Sequence, residues 1–164
     1  MKYLNFATLF VLLVSAPLSI LADESTAGFG NLAEDSDAPI EAIADEMIVN
    51  NEKSEAELTG NVVIIQGSTR LNADFVTLIY SESGSEVEEM FARGNVFLLS
   101  GEDEATSETA DYNLARGTLI MTGDAVVMQD GNTVRSDRAE FDIETGAAVM
   151  TGRVRSVLLP PADE

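Results

Sequence analysis

Histidine, cysteine and tryptophan are absent from this chain of 164 residues, and each absence closes off chemistry. Without histidine or cysteine there is no Ser-His or Cys-His nucleophile and no metal held by imidazole or thiolate. Without tryptophan, and with only three tyrosines, little is left to floor a sugar-stacking groove. Positive charge is scarce too: nine Lys and Arg stand against 29 Asp and Glu, for a net charge of −20. Binding to phosphates needs clustered cations and counterion release, so nucleic acid is excluded as a partner. Docking on an anionic membrane surface is disfavoured for the same reason. Acids are plentiful enough for a paired-carboxylate glycosidase or a calcium site on residue type alone, but their even spread along the chain speaks against both. No catalytic residue, metal site or cofactor is assigned.

What the chain does have is a glycine that returns in the same company. It stands in Leu58-Thr59-Gly60-Asn61-Val62, Ala92-Arg93-Gly94-Asn95-Val96, Met121-Thr122-Gly123-Asp124-Ala125 and Met150-Thr151-Gly152-Arg153-Val154, at intervals of 34, 29 and 29 residues. An acid runs in step with it, at Asp45, Asp74, Glu108 and Asp137. Each of the first three glycines is followed by its acid after 14 residues, and acid leads to glycine after 15 in every case but one. The exception, from Asp74 to Gly94, is five residues longer and contains the turn-forming stretch Ser81-Glu82-Ser83-Gly84-Ser85-Glu86. A fixed period of this size marks a repeat array whose units bury a shared apolar face. Residues repeated in every unit read as scaffold: the glycines as a bend or close backbone approach, the acids as a turn cap or a solvent-facing ladder.

Within a repeat the pattern alternates. Ala139, Phe141 and Ile143 are apolar while Arg138, Glu140 and Asp142 are charged, which is the mark of a strand with one wet and one dry face. The same register turns Met47, Val49, Val76, Leu78, Tyr80, Ala110, Tyr112 and Leu114 one way. For the glycine-bearing halves it faces Leu58, Val62, Ile64, Ala92, Val96, Leu98, Met121, Ala125, Val127, Met150 and Val154 inward. Turn signals at Asn50-Asn51, Gln66-Gly67, Ser81 to Ser85, Ser100-Gly101, Arg116-Gly117, Asp130-Gly131-Asn132 and Thr145-Gly146 join the strands by short connections, which requires antiparallel pairing. The expectation is an all-β array of about eight strands of about ten residues, built from two-strand repeats, with no helix after the N-terminus.

Residues 1–22 read as a secretory signal peptide: Lys2 supplies the charge, Phe6 to Ile20 the apolar run, and Ala22 the cleavage position. Residues 23–38 read as a flexible acidic leader, 39–159 as one β domain, and 160–164 as a C-terminal tail. The open first and last strands invite end-to-end pairing with a like or related chain.

The succession Pro39-Ile40-Glu41-Ala42-Ile43-Ala44-Asp45, Leu58-Thr59-Gly60-Asn61-Val62-Val63-Ile64-Ile65-Gln66-Gly67 and Leu71-Asn72-Ala73-Asp74-Phe75-Val76 resembles the OstA-like family of lipopolysaccharide-export proteins, and within it the LptA type. The resemblance covers 39–159. It implies a twisted, V-shaped β-jellyroll that is not an enzyme. It also implies a periplasmic location and an apolar groove holding the acyl chains of lipopolysaccharide. Head-to-tail homo-oligomers would bridge an LptC-like inner-membrane protein and an LptD-like outer-membrane protein. By motif position Ile40 and Ala42 fall near the entry of that groove, and Val62, Ile64, Val76 and Leu78 line it. The inward register adds Leu58, Val96, Leu98, Tyr112, Met121, Val127, Phe141 and Met150. Two alternatives stand beside this reading: a periplasmic protein–protein contact module with a filled core, and an LptC-like anchored component if the N-terminal segment is retained.

Overall fold

The computed structural model describes residues 29–159. The expected signal peptide, the first part of the leader and the tail 160–164 lie outside the described residues. One short helix, α1 (Leu32–Asp35), precedes ten strands: β1 (Ile40–Ile43), β2 (Glu46–Asn50), β3 (Glu55–Gln66), β4 (Thr69–Tyr80), β5 (Val87–Ser100), β6 (Asp103–Asn113), β7 (Thr118–Gln129), β8 (Asn132–Asp142), β9 (Ala148–Thr151) and β10 (Arg155–Val157). They form a single antiparallel sheet in chain order. β1 and β2 both pair with β3, and β9 and β10 both pair with β8. Each of these couples is therefore one strand broken in the middle, and the sheet has eight strand positions. The tight turns fall where the Gly, Asn and Ser clusters stand, and the long one at 81–86 is closed by Ser81 N–H to Glu86 O.

The breaks, and the repeat that marks them, form one line across the sheet. The ladder shifts register between Thr59 and Val62, between Arg93 and Val96, and between Thr122 and Ala125. At each shift a Gly-Xaa pair bulges opposite the single acid of the following strand. Both residues of each pair have positive φ: 80° and 46° at Gly60-Asn61, 76° and 50° at Gly94-Asn95, 84° and 51° at Gly123-Asp124, 74° and 41° at Gly152-Arg153. Glycine is required at the first position for a second reason. The acid of the preceding strand lies on it, so that a Cβ at Gly60, Gly94 or Gly152 would stand 2.5 Å from a carboxylate oxygen of Asp45, Asp74 or Asp137. The two sequence spacings thus have separate causes. Glycine to acid is the bulge register, and acid to glycine is the carboxylate seated on the bulge. Asn61 and Asn95 each donate to that carboxylate at 2.8 Å.

Bulges sharpen bending, and a row of them folds the sheet. Met90 and Leu98 lie on the same strand, eight residues and about 26 Å apart if extended, yet they line one cavity. The inner face therefore closes on itself between a first half-sheet, whose tips are the turns 66–69, 100–103 and 129–132, and a second half-sheet, whose tips are 50–55, 80–87, 113–118 and 142–148. Inner positions alternate with outer ones along every long strand.

Three of the residues so oriented stay exposed at the ends of the array. Met47, Val49 and Val154 are 49%, 59% and 53% exposed. Met47 and Val49 sit opposite Leu58 and Ala56, which are fully buried. They share the inner side, but among the described residues the first strand has a neighbour on one flank only and nothing covers it. Val154 lies in the break between β9 and β10 at the other end.

Part of the expected leader lies within the described residues. Its described part, Phe29 to Ala38, carries α1 and is packed against the sheet, with Phe29 and Leu32 both buried in the core. The acidic composition concealed two apolar residues three positions apart, and these pack into the core.

Candidate functional site

The interior between the half-sheets is the candidate site. All fourteen residues expected to line it converge there. Leu58, Val62, Ile64, Val76, Leu78, Val96, Leu98, Met121, Val127 and Phe141 are buried in one apolar cluster, and Ile40, Ala42, Tyr112 and Met150 pack half-buried against it. The lining alternates large and small side chains: Ala56, Ala92, Ala105, Ala110, Ala125 and Ala139 stand beside Leu, Met and Phe. Most of the buried polar residues lie at the strand ends, as Gln66, Thr69, Ser100, Asp103 and Asn113 do. Tyr112 reaches the interior wall, and burial pushes its hydroxyl above the ordinary phenol value.

This interior is closely packed at its centre. A cavity of about 30 Å³ remains between Ile64, Leu71 and Leu98 on the first half-sheet and Met90, Tyr112 and Leu119 on the second. That is room for about one small molecule the size of water. Toward β9 the space widens to about 340 Å³ between Val127 and Val134 on one side and Phe141, Ala148 and Met150 on the other, with Phe29 across it and Leu158 at its rim. That volume lies in the range of ligand clefts.

Charge is distributed unevenly around the ends. The first strand and the start of β3 carry Glu41, Asp45, Glu46, Glu52, Glu55 and Glu57 against Lys53 alone. The last strands carry Arg135, Arg138, Arg153 and Arg155, and a cleft of about 500 Å³ on the outer face is lined by three of these arginines together with Asp124 and Asp137. Arg153 donates to Asp137 at 2.6 Å. That hydrogen bond holds the Asp137 carboxyl below, and the Arg153 guanidinium above, its ordinary value. Apolar side chains are exposed at both ends as well: Ile43, Ile48 and Val49 at the first, Val157, Leu158 and Leu159 at the last. No group of three or more acids that could hold a metal ion occurs among the described residues.

A family model described as "LptA/(LptD N-terminal domain) LPS transport protein" matches residues 41–147. The chain belongs to this family. It is a family of transport proteins rather than of enzymes, and the match spans the strands from β1 through β8. The chain is 31% identical over 121 residues to an uncharacterized protein of Rhizobium meliloti, covering 70% of this chain and 65% of that one. It is 26% identical over 113 residues to the lipopolysaccharide export system protein LptA of Escherichia coli K12, covering 65% and 61%. With the lipopolysaccharide export system protein LptH of Pseudomonas aeruginosa it shares 26% over 118 residues, covering 68% and 67%. The chain thus spans slightly less than two thirds of the length of the first two relatives. The crystal structure of LptH, described as the LptA-homologous periplasmic component of the lipopolysaccharide transport device, superposes with a TM-score of 0.71 at 22% identity, over 77% of this chain and 99% of that one. The LptA-type fold expected from the sequence is the one observed.

Sequence reasoning missed one contributor to the site. Phe29 and Leu32 enter the interior from outside the repeat. Their place as two large apolar residues within a polar stretch was the available signal.

Proposed function

We propose that this protein is a periplasmic, non-enzymatic carrier for lipopolysaccharide, holding its acyl chains between the two half-sheets and passing them along a head-to-tail stack. The observation that carries the reading is the apolar interior, which runs through all eight strand positions and widens into the recess beside β9. Net charge of −20 gives no attraction to anionic headgroup phosphates, so affinity comes from the acyl chains at about 0.8 kcal/mol per buried methylene, with the headgroup left in water. Stacking is supported by the alternation at the corner. The first strand position bears an acid and the last a glycine, and eight alternating positions leave the next copy antiparallel and in phase. The acidic first end and the arginine-bearing last end complement one another. LptC-like and LptD-like proteins are the partners proposed for the two ends.

A filled-core contact module is the second reading, and the close packing at the centre of the interior favours it. The two are separated by photo-crosslinking. A benzophenone side chain placed at Tyr112, on the inner face, crosslinks to lipopolysaccharide, whereas one at Phe91, on the outer face, does not. Ile64→Asp abolishes the Tyr112 product with the far-UV spectrum unchanged. Absence of product from Tyr112, or equal product from both faces, refutes the carrier reading.

A further inference from the structure

The mouth between the half-sheets, opposite the bulge line, is spanned by residues 29–38, and the contacts of this segment are unequal on the two sides. Its hydrogen bonds to the sheet, among the described residues, all go to tips of the first half-sheet. Gly30 N–H donates to Asp103 at 2.7 Å, and Asn31 N–H to the Ser100 hydroxyl at 2.9 Å. The Asp35 carboxylate accepts from Ser68 N–H, the Ser68 hydroxyl and the Thr69 hydroxyl at 3.0, 2.8 and 2.7 Å. The Gln66 amide donates to Ser36 O and Ala38 O. Toward the second half-sheet it offers apolar and van der Waals contact. The Phe29 ring meets Phe141 with centroids 5.0 Å apart, and Gly30, Leu32, Ala33 and Glu34 face the turn 142–146 across a narrow cleft. Leu32 closes the central cavity between Ile64, Leu98, Tyr112 and Leu119.

We propose that Phe29–Asp35 is a hinged lid over the interior, latched to the first half-sheet, and that acyl chains enter where Phe29 and Leu32 lift away from the second. This deepens the carrier reading and rests on it. Three features make the segment detachable. It lies outside the strand ladder, so lifting it breaks no sheet pairing. A helix of a single turn has no stability of its own and holds its place only through its contacts with the sheet. Toward the second half-sheet it makes no hydrogen bond among the described residues, so lifting that side strands no buried polar group, while the bonds to Thr69, Ser100 and Asp103 stay in place. The lid also explains how an interior with a cavity of about 30 Å³ accommodates a chain: two apolar side chains already occupy the entry, and the ligand takes their place. A site open for only a fraction of the time binds more weakly by that fraction, so removing the lid tightens binding.

The test uses the chain from Asp23 onward and cis-parinaric acid, a fluorescent acyl probe. The double variant Phe29→Ser, Leu32→Ser is expected to bind at least about tenfold more tightly than the parent. In a second arm, Ala33→Cys and Thr145→Cys, both exposed in a chain with no native cysteine, are joined by a short bismaleimide. Binding falls at least about tenfold on bridging and stays at the parent level in the unbridged double cysteine variant. This arm leaves Phe29 and Leu32 intact, so it decides the matter even if the serine variant does not fold. Unchanged binding after bridging, or weaker binding by a folded serine variant, overturns the lid while leaving the carrier reading intact. No probe binding by parent or variant, with no lipopolysaccharide crosslink at Tyr112, overturns both.

Discussion

Replacing Gly123 by alanine tests the corner on which the whole sheet turns. The residue has φ +84°, and a methyl there would lie 2.6 Å from the Cβ of Glu108. That atom is fixed to the backbone of β6 and cannot rotate aside. Two costs follow. An L-residue in a left-handed conformation loses about 1–2 kcal/mol. The overlap forces the β6 and β7 backbones apart, which costs about 1–3 kcal/mol more, as overpacking does elsewhere. Gly84→Ala separates the two, because Gly84 has φ +70° but no atom within 4 Å of the position a Cβ would take. It bears only the conformational cost, together with the same stiffening of the unfolded chain, worth about 0.4–1 kcal/mol in the opposite sense. Gly94→Ala falls between, since the first atom it meets is a carboxylate oxygen of Asp74 at 2.5 Å, which can swing, and the Cβ lies at 3.0 Å. Equilibrium urea unfolding followed by far-UV circular dichroism measures all three. The expected order of destabilisation is Gly123, Gly94, Gly84, with Gly123→Ala about 1–3 kcal/mol beyond Gly84→Ala at constant m. A gap under about 0.5 kcal/mol, the ordinary scatter for a surface change, would refute the account of the bulge as a close approach.

Other consequences are testable on the same protein. Met121 is fully buried, so Met121→Ala costs about 2–5 kcal/mol through the cavity it leaves, read in the same unfolding experiment. At Asp35, desolvation acts to raise the carboxyl, and hydrogen bonds from Ser68 and Thr69 outweigh it and hold the pKa below the ordinary 3.8. A lowered folded value contributes stability that is complete above the unfolded pKa and is lost as pH falls through the folded one. The stability gap between parent and Asp35→Asn, about 1 kcal/mol near neutral pH, therefore shrinks as pH drops below 3.8 in thermal melts. Val157→Lys, at the exposed last strand, and Ile43→Lys, at the exposed first, each shorten assemblies in sedimentation velocity, because a charge on an edge strand blocks pairing. Wild-type sedimentation from both variants would count against end-to-end stacking.

The repeat was legible because its cause is local and recurrent. Every bulge on the corner line carries a glycine with positive φ and an acid seated on it, so Gly60, Gly94, Gly123 and Gly152 recur with Asp45, Asp74, Glu108 and Asp137 in step. Alternation then named the inner face correctly through the middle of the sheet, where Leu58, Val96 and Phe141 are covered from both sides. Met47, Val49 and Val154 nonetheless stay exposed, because periodicity reports which way a side chain points, whereas burial depends on whether a further strand lies beside it. Nor does periodicity measure the gap between two faces brought together by a bend. The small cavity at Ile64, Met90 and Leu98 exists only because residues about 26 Å apart along one strand meet after the fold closes. The lid was hidden for the same reason: Phe29 and Leu32 belong to no repeat, and their partners Phe141, Leu98 and Leu119 are distant in sequence. Local conformation and strand polarity were determined by the sequence alone. Whether the interior is filled, and what closes it, was decided by contacts between half-sheets that only tertiary folding brings together.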